Sequence, residues 1–103
     1  MINRLEGLLE LFSKDPKDSF VAYGIALEYI SLNNYDQAER YFKLLLENDP
    51  DYVPAYLQFA QLKEKINQIE EAKNLYKQGI EKAKKAGDKK SAAEMEEFLN
   101  ELE

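Results

Sequence analysis

Five pairs of residues in this chain stand 34 positions apart and match in kind: Pro16 and Pro50, Ala26 and Ala60, Asn33 and Asn67, Ala38 and Ala72, Phe42 and Tyr76. The stretch from Tyr35 to Pro50 returns, altered but in phase, as Ile69 to Lys84. A period of this length marks one supersecondary unit repeated along the chain. Such a unit cannot bury its apolar face alone and must stack on neighbours, about three being needed for stability.

Hydrophobic spacing assigns the units to helices. Residues 1–14 read as a short amphipathic helix, with Leu5, Leu8, Leu9, Leu11 and Phe12 opposed by Glu6 and Glu10. Asp15-Pro16 stops it, because the residue before proline is pushed out of the helical region. Residues 18–32 form a second helix, with Asp18 or Ser19 as cap. It is apolar on two sides: Ala22, Ile25, Ala26 and Tyr29 make one stripe, and Phe20, Tyr23, Leu27 and Ile30 another. Such a helix is sandwiched, or offers one side to a ligand.

A third helix starts near Tyr35, where Asn34 and Gln37 have the form of a capping box, and ends before Asp49-Pro50. A fourth covers about 53–66, with Pro54 tolerated in its first turn. Its stripe is Tyr56, Phe59, Ala60 and the stem of Lys63. Asn67 with Glu70 repeats the capping signal before a fifth helix over about 69–84, which carries Ile69, Ala72, Leu75, Tyr76, Gly79 and Ile80. Ala86-Gly87-Asp88 is a break. Asp88 then caps a sixth helix with Ala92, Met95, Leu99 and Leu102 on one face. Strand-like alternation is absent, so very little β structure is expected.

The totals narrow the function. A chain of 103 residues is one domain by length, with room for one modest core. A net charge of −6 argues against unaided nucleic-acid binding and against docking on anionic lipid. The chain has no cysteine and no histidine, which removes disulfides, thiolate chemistry and the commonest general base. Glu70-Glu71 and Glu96-Glu97 diverge by about 100° on a helix and do not converge on one substrate atom. No phosphate-binding loop, metal-ligand spacing or nucleophile–base pair is present, so no cofactor and no enzyme activity are expected. Residues 1–12 carry Arg4, Glu6 and Glu10 within the apolar run and do not read as a secretory signal. No run is long enough to span a bilayer, and a cytoplasmic protein is the expectation.

The 34-residue helix–turn–helix period, with these residue types, resembles the tetratricopeptide repeat. Ala22, Ile25, Ala26, Tyr29, Tyr35, Ala38, Phe42, Leu45 and Pro50 stand at the family's positions in one unit. Tyr56, Phe59, Ala60, Lys63, Ile69, Ala72, Tyr76, Gly79 and Lys84 do so in the next. Small residues at Ala26 and Ala38, and at Ala60 and Ala72, let paired helices approach, and Phe42 or Tyr76 fills the remaining gap. Ala22 departs from the family's bulky aromatic, Lys63 replaces an aromatic, and Lys84 replaces the closing proline. The expected fold is an all-α right-handed superhelix of six antiparallel helices. Residues 1–16 form a half-repeat helix, 19–52 and 53–86 two full repeats, and 89–103 a capping helix.

The resemblance implies a scaffold that binds a protein or peptide on its concave side. The side chains expected there are Phe20, Tyr23, Leu27 and Ile30, then Leu57, Gln58, Gln61 and Lys65, with Pro54 beside them. The cap would add Lys90, Ala93 and Glu97. The bland alternative is that Phe20, Tyr23 and Leu27 pack under the first helix, against Leu8, Leu11 and Phe12. A second functional reading is homodimerisation through the incomplete N-terminal end. Some family members hold chaperone C-termini with a clamp of Lys and Asn; here Tyr23, Leu27 and Gln58 stand at those places, so that partner class is not expected. Lys82, Lys84, Lys85, Lys89 and Lys90 read as cations placed at a helix C-terminus rather than an RNA patch, since no aromatic interleaves them.

Overall fold

The computed structural model describes residues 3–103, which form six helices and no strands. They are α1 (Arg4–Lys14), α2 (Ser19–Ser31), α3 (Tyr35–Asn48), α4 (Val53–Lys65), α5 (Ile69–Lys85) and α6 (Lys89–Leu102). The all-α expectation holds. The first two residues of the helix expected over 1–14 lie outside the described residues; Asn3 caps α1 by accepting from the Glu6 N–H at 2.8 Å. No helix among the described residues is long and apolar enough to cross a membrane.

The chain divides into two compact units, one ending at Pro50 and the other beginning at Asp51. In the first, α2 packs on both α1 and α3. Ala26, Ala38, Ile25 and Phe42 are completely buried. Alanine at two facing helices leaves little side chain between the backbones, so the pair closes up and the larger Phe42 fills the adjoining space. Tyr41 joins a ring cluster, edge-on to Phe12 at 5.3 Å and tilted against Tyr29 at 5.8 Å. Asp49 at the end of α3 accepts a hydrogen bond from the Ser19 hydroxyl at 2.7 Å, tying that end to the start of α2.

The second unit packs α5 between α4 and α6. Ala60, Ala72, Tyr76, Ala83 and Met95 are completely buried. Phe98, which the sixth helix's expected face omitted, stacks on Tyr76 at 5.9 Å with planes 19° apart. Its spacing of three from Met95 places it beside that face and was the available signal.

Three turns share one construction. Asn33, Asn67 and Gly87 take positive φ, at 59°, 64° and 76°. Asparagine and glycine are the residues that tolerate this left-handed conformation. The next residue in each turn, Asn34, Gln68 or Asp88, donates its N–H to the carbonyl of Tyr29, Lys63 or Ala83, each at 2.8 Å. The left-handed residue itself donates to Ile30, Glu64 or Lys84, at 2.9, 3.0 and 3.1 Å. That pair of bonds satisfies two of the free carbonyls at the end of one helix, and the following residue stands at the cap position of the next. Asn34 and Asp88 cap as expected, accepting from the N–H of Gln37 and Ser91. Asn67 does not. It occupies the left-handed position, as Asn33 does, and the cap of α5 is Gln68, which makes no side-chain capping bond.

The two Asp-Pro junctions also correspond. Asp15 and Asp49 end α1 and α3 with φ near −146° and −144° and donate to Leu11 and Leu45. Lys84, where the third such proline would stand, does not stop a helix, so α5 runs on to Lys85 and closes with the Gly87 turn instead.

Candidate functional site

On α2 the stripe of Ala22, Ile25 and Ala26 is buried, at 3%, 0% and 0% exposure. The other expected stripe is not. Phe20 is 75% exposed, and Tyr23, Leu27 and Ile30 are half-buried. Leu32, just past the helix, is 59% exposed. The bland alternative therefore fails for Phe20 and for Leu11, which is itself 52% exposed. The first helix instead lies over Gly24. A Cβ built there would sit 3.4 Å from Leu8 Cδ1, so α1 rests on the bare backbone at Gly24. The Arg4 guanidinium adds an ion pair to Glu28 at 3.1 Å on the same flank. Sequence reading passed over Gly24 because a helical glycine carries no side-chain signal.

In the second unit, α4 buries Tyr56, Phe59, Ala60 and Leu62. Leu57, Gln58 and Gln61 are half-buried and Lys65 is exposed. On α6, Lys90, Ala93 and Glu97 are exposed. The side chains expected to face a ligand thus fall outside the buried stripe of their own helix in both units, apolar on α2 and mainly polar on α4.

Lys63 is 6% exposed. Its ammonium donates to Gln68 Oε1 at 2.8 Å, pairs with the Glu71 carboxylate at 3.0 Å and lies 5.5 Å from the Phe59 ring centre. Its stem fills the place of the family's aromatic, and its head reaches polar atoms at the start of α5. The Gln68 oxygen accepts from Lys63 and makes no capping bond to α5. Because the stem does the packing, Lys63→Met is expected to change stability by less than about 1 kcal/mol, while Lys63→Ala costs about 2–4 kcal/mol. Urea denaturation of the two variants checks this; equal losses would show that the charge, not the stem, matters.

The lysine cluster is partly neutralised. Lys82 pairs with Asp51 at 3.1 Å and Lys84 with Glu96 at 3.3 Å. The hydrogen bond and charge of Asp51 raise the pKa of Lys82 above its ordinary value. Hydrogen bonds from the Ser91 side chain and backbone lower that of Asp88. Among the described residues, no group of three or more His, Cys, Asp or Glu side chains is placed to hold a metal ion. A depression of about 350 Å³ on α3 is lined by Asp36, Glu39, Arg40, Lys43, Leu44 and Glu47, a solvated charged face rather than an apolar pocket.

Helical hairpins with buried small residues at matching places, closed by the same turn each time, define a helical-repeat protein. The sequence profile of the tetratricopeptide repeat matches residues 29–93, and the chain belongs to that family. It is 35% identical to a tetratricopeptide repeat domain protein from Salinibacter ruber, whose solution structure superposes with a TM-score of 0.82 over 86% of this chain and 90% of that one. A TPR repeat-containing protein of Pseudomonas aeruginosa is 23% identical over 96% of this chain and 94% of its own length. PcrH, crystallised with the chaperone-binding region of PopD, shares the fold with a TM-score of 0.88 at 16% identity, covering 95% of this chain and 74% of PcrH.

Proposed function

We propose that this protein is a non-catalytic scaffold that binds a protein segment through the open face of α2, with Phe20, Tyr23, Leu27 and Ile30 as the apolar contacts. Leu57, Gln58, Gln61 and Lys65 on α4 are the corresponding candidates of the second unit. The observation that carries the reading is the 75% exposure of Phe20. A large aromatic left in water on a helix that buries Ala22, Ile25 and Ala26 on its other side is the kind of anchor that interfaces use. Family membership supports it, and the PcrH complex with a segment of PopD is a precedent for the fold. The side chains on the α2 face are uncharged, so the segment recognised there is apolar rather than acidic.

Phe20→Ala is expected to leave stability within about 0.5 kcal/mol, because an exposed side chain contributes little to the core. The same change, or Leu27→Ala, is expected to abolish recovery of the partner in affinity purification from the native cell. Recovery of the same proteins by wild type and variant would end this reading. The 52% exposure of Leu11 on α1 favours a second one, homodimerisation. Sedimentation of the same samples at high micromolar concentration separates the two, since a monomer throughout removes the dimer.

A further inference from the structure

The attachment of α1 differs from that of the other five helices: it is the one with no buried residue among those described. Leu5, Leu8, Leu9 and Phe12 reach only half-burial. Three contacts define its seat among the described residues. Leu8 lies over the backbone of Gly24, Arg4 pairs with Glu28 while its own side chain is 73% exposed, and Phe12 meets the edge of Tyr41. An exposed ion pair contributes little. A helix of 11 residues, with Gly7 in its interior, is too short to persist alone in water. Helicity and attachment in α1 therefore stand or fall together. It is expected to open as one unit, at a lower cost than α2 or α3, whose alanines are fully buried.

The surface beneath α1 has a definite shape and chemistry. Gly24 gives a bare floor, Glu28 an acceptor for a cation, and Tyr41 an aromatic edge. Arg4, Leu8 and Phe12 meet these three points at intervals of four residues, one stripe along a helix. We propose that α1 is a displaceable plug, and that the slot it fills accepts in its place an amphipathic helix of another protein carrying a cation, a leucine and an aromatic at four-residue intervals. The slot lies beside the Phe20 face and uses different residues, so it goes beyond the function proposed above. The pattern the occupant must carry is read from what already sits there: Arg4 on Glu28, Leu8 on Gly24 and Phe12 on Tyr41.

Hydrogen exchange on the full wild-type chain is the first test. The α1 amides should exchange on the order of a hundredfold faster than those of α2 and α3. A fluorescent synthetic peptide of residues 3–17 is the second. It should bind full-length Leu8→Asp saturably, bind wild type roughly tenfold more weakly because α1 competes in cis, and fail to bind a Gly24→Leu, Leu8→Asp chain whose slot is filled. Phe20→Ala should leave peptide binding unchanged; if it abolishes binding, the slot is not a separate site and this inference falls, whatever becomes of the Phe20 reading. Equal protection of α1 and α2 would overturn the proposal. So would absence of peptide binding to a Leu8→Asp chain whose α2–α6 amides remain protected. A wild-type dimer dissociated by the peptide would make the occupant a second copy and overturn the choice of a foreign helix.

Discussion

Gly79→Ala is expected to lower stability by about 2 kcal/mol, and Gly24→Ala to raise it by up to about 1 kcal/mol, in parallel urea titrations. Both glycines lie inside helices, where alanine is intrinsically favoured by about 1 kcal/mol. What separates them is the space a methyl group would enter. At Gly79 the added Cβ would lie 2.5 Å from Met95 Sδ and 2.6 Å from Tyr56 Cβ. Met95 can swing its thioether aside. The Cβ of Tyr56 is fixed to the backbone of α4, so α4 and α5 must separate, and overpacking of this kind costs about 1–3 kcal/mol. At Gly24 the nearest atoms are the two methyls of Leu8, at 3.4 and 3.5 Å, an ordinary contact with the end of a mobile side chain. A rise in the denaturation midpoint for Gly79→Ala would mean that α4, α5 and α6 do not approach as closely as described.

The same two glycines show how far the sequence could be read. Gly79 stood at a family position reserved for small residues, so its place was legible, though not that Tyr56 and Met95 close over it. Gly24 stood at no such position, yet it is where Leu8 of α1 rests, while Phe20 one turn earlier stays open. Periodicity could not settle this, because α2 is apolar on two sides and either could have taken α1. The turns were legible in part. Asn34, Asp18 and Asp88 cap as their side chains suggest. Asn67 was misread because its spacing to Glu70 imitates a capping box. Its alignment with Asn33, rather than with Asn34, was the better guide, since a left-handed position and a cap are adjacent but distinct demands on the chain. Lys63 could be placed as a buried stem, but Gln68 and Glu71 as its partners could not, because a long flexible side chain can reach several acceptors.

Tyr76 combines the packing and the polar features of the second unit, and its substitutions should separate them. Tyr76→Ala is expected to cost about 3–5 kcal/mol, since it empties a completely buried position and removes the ring stacked on Phe98. Tyr76→Phe keeps the ring and deletes one hydrogen bond, from the phenol to the Glu64 carboxylate, and should cost about 1–2 kcal/mol at neutral pH. The difference between wild type and Tyr76→Phe should then depend on pH. Burial, the hydrogen bond to Glu64 and the negative charges of Glu64 and Glu101 all raise the pKa of Tyr76 above its ordinary value of 10.0. In the unfolded chain the phenol loses its proton near pH 10, while in the folded chain it keeps it. The folded state therefore holds the extra proton above pH 10, and stability falls as pH rises. The contribution is complete below pH 10 and declines with the slope of one proton above it. Tyr41, raised by burial and by Tyr29, is present in both proteins and cancels in the difference. Urea denaturation of wild type and Tyr76→Phe between pH 7 and about pH 11.5 should show the two stabilities converging only in the alkaline range. Parallel curves throughout would mean that the phenol is hydrated and free to ionise in the folded protein.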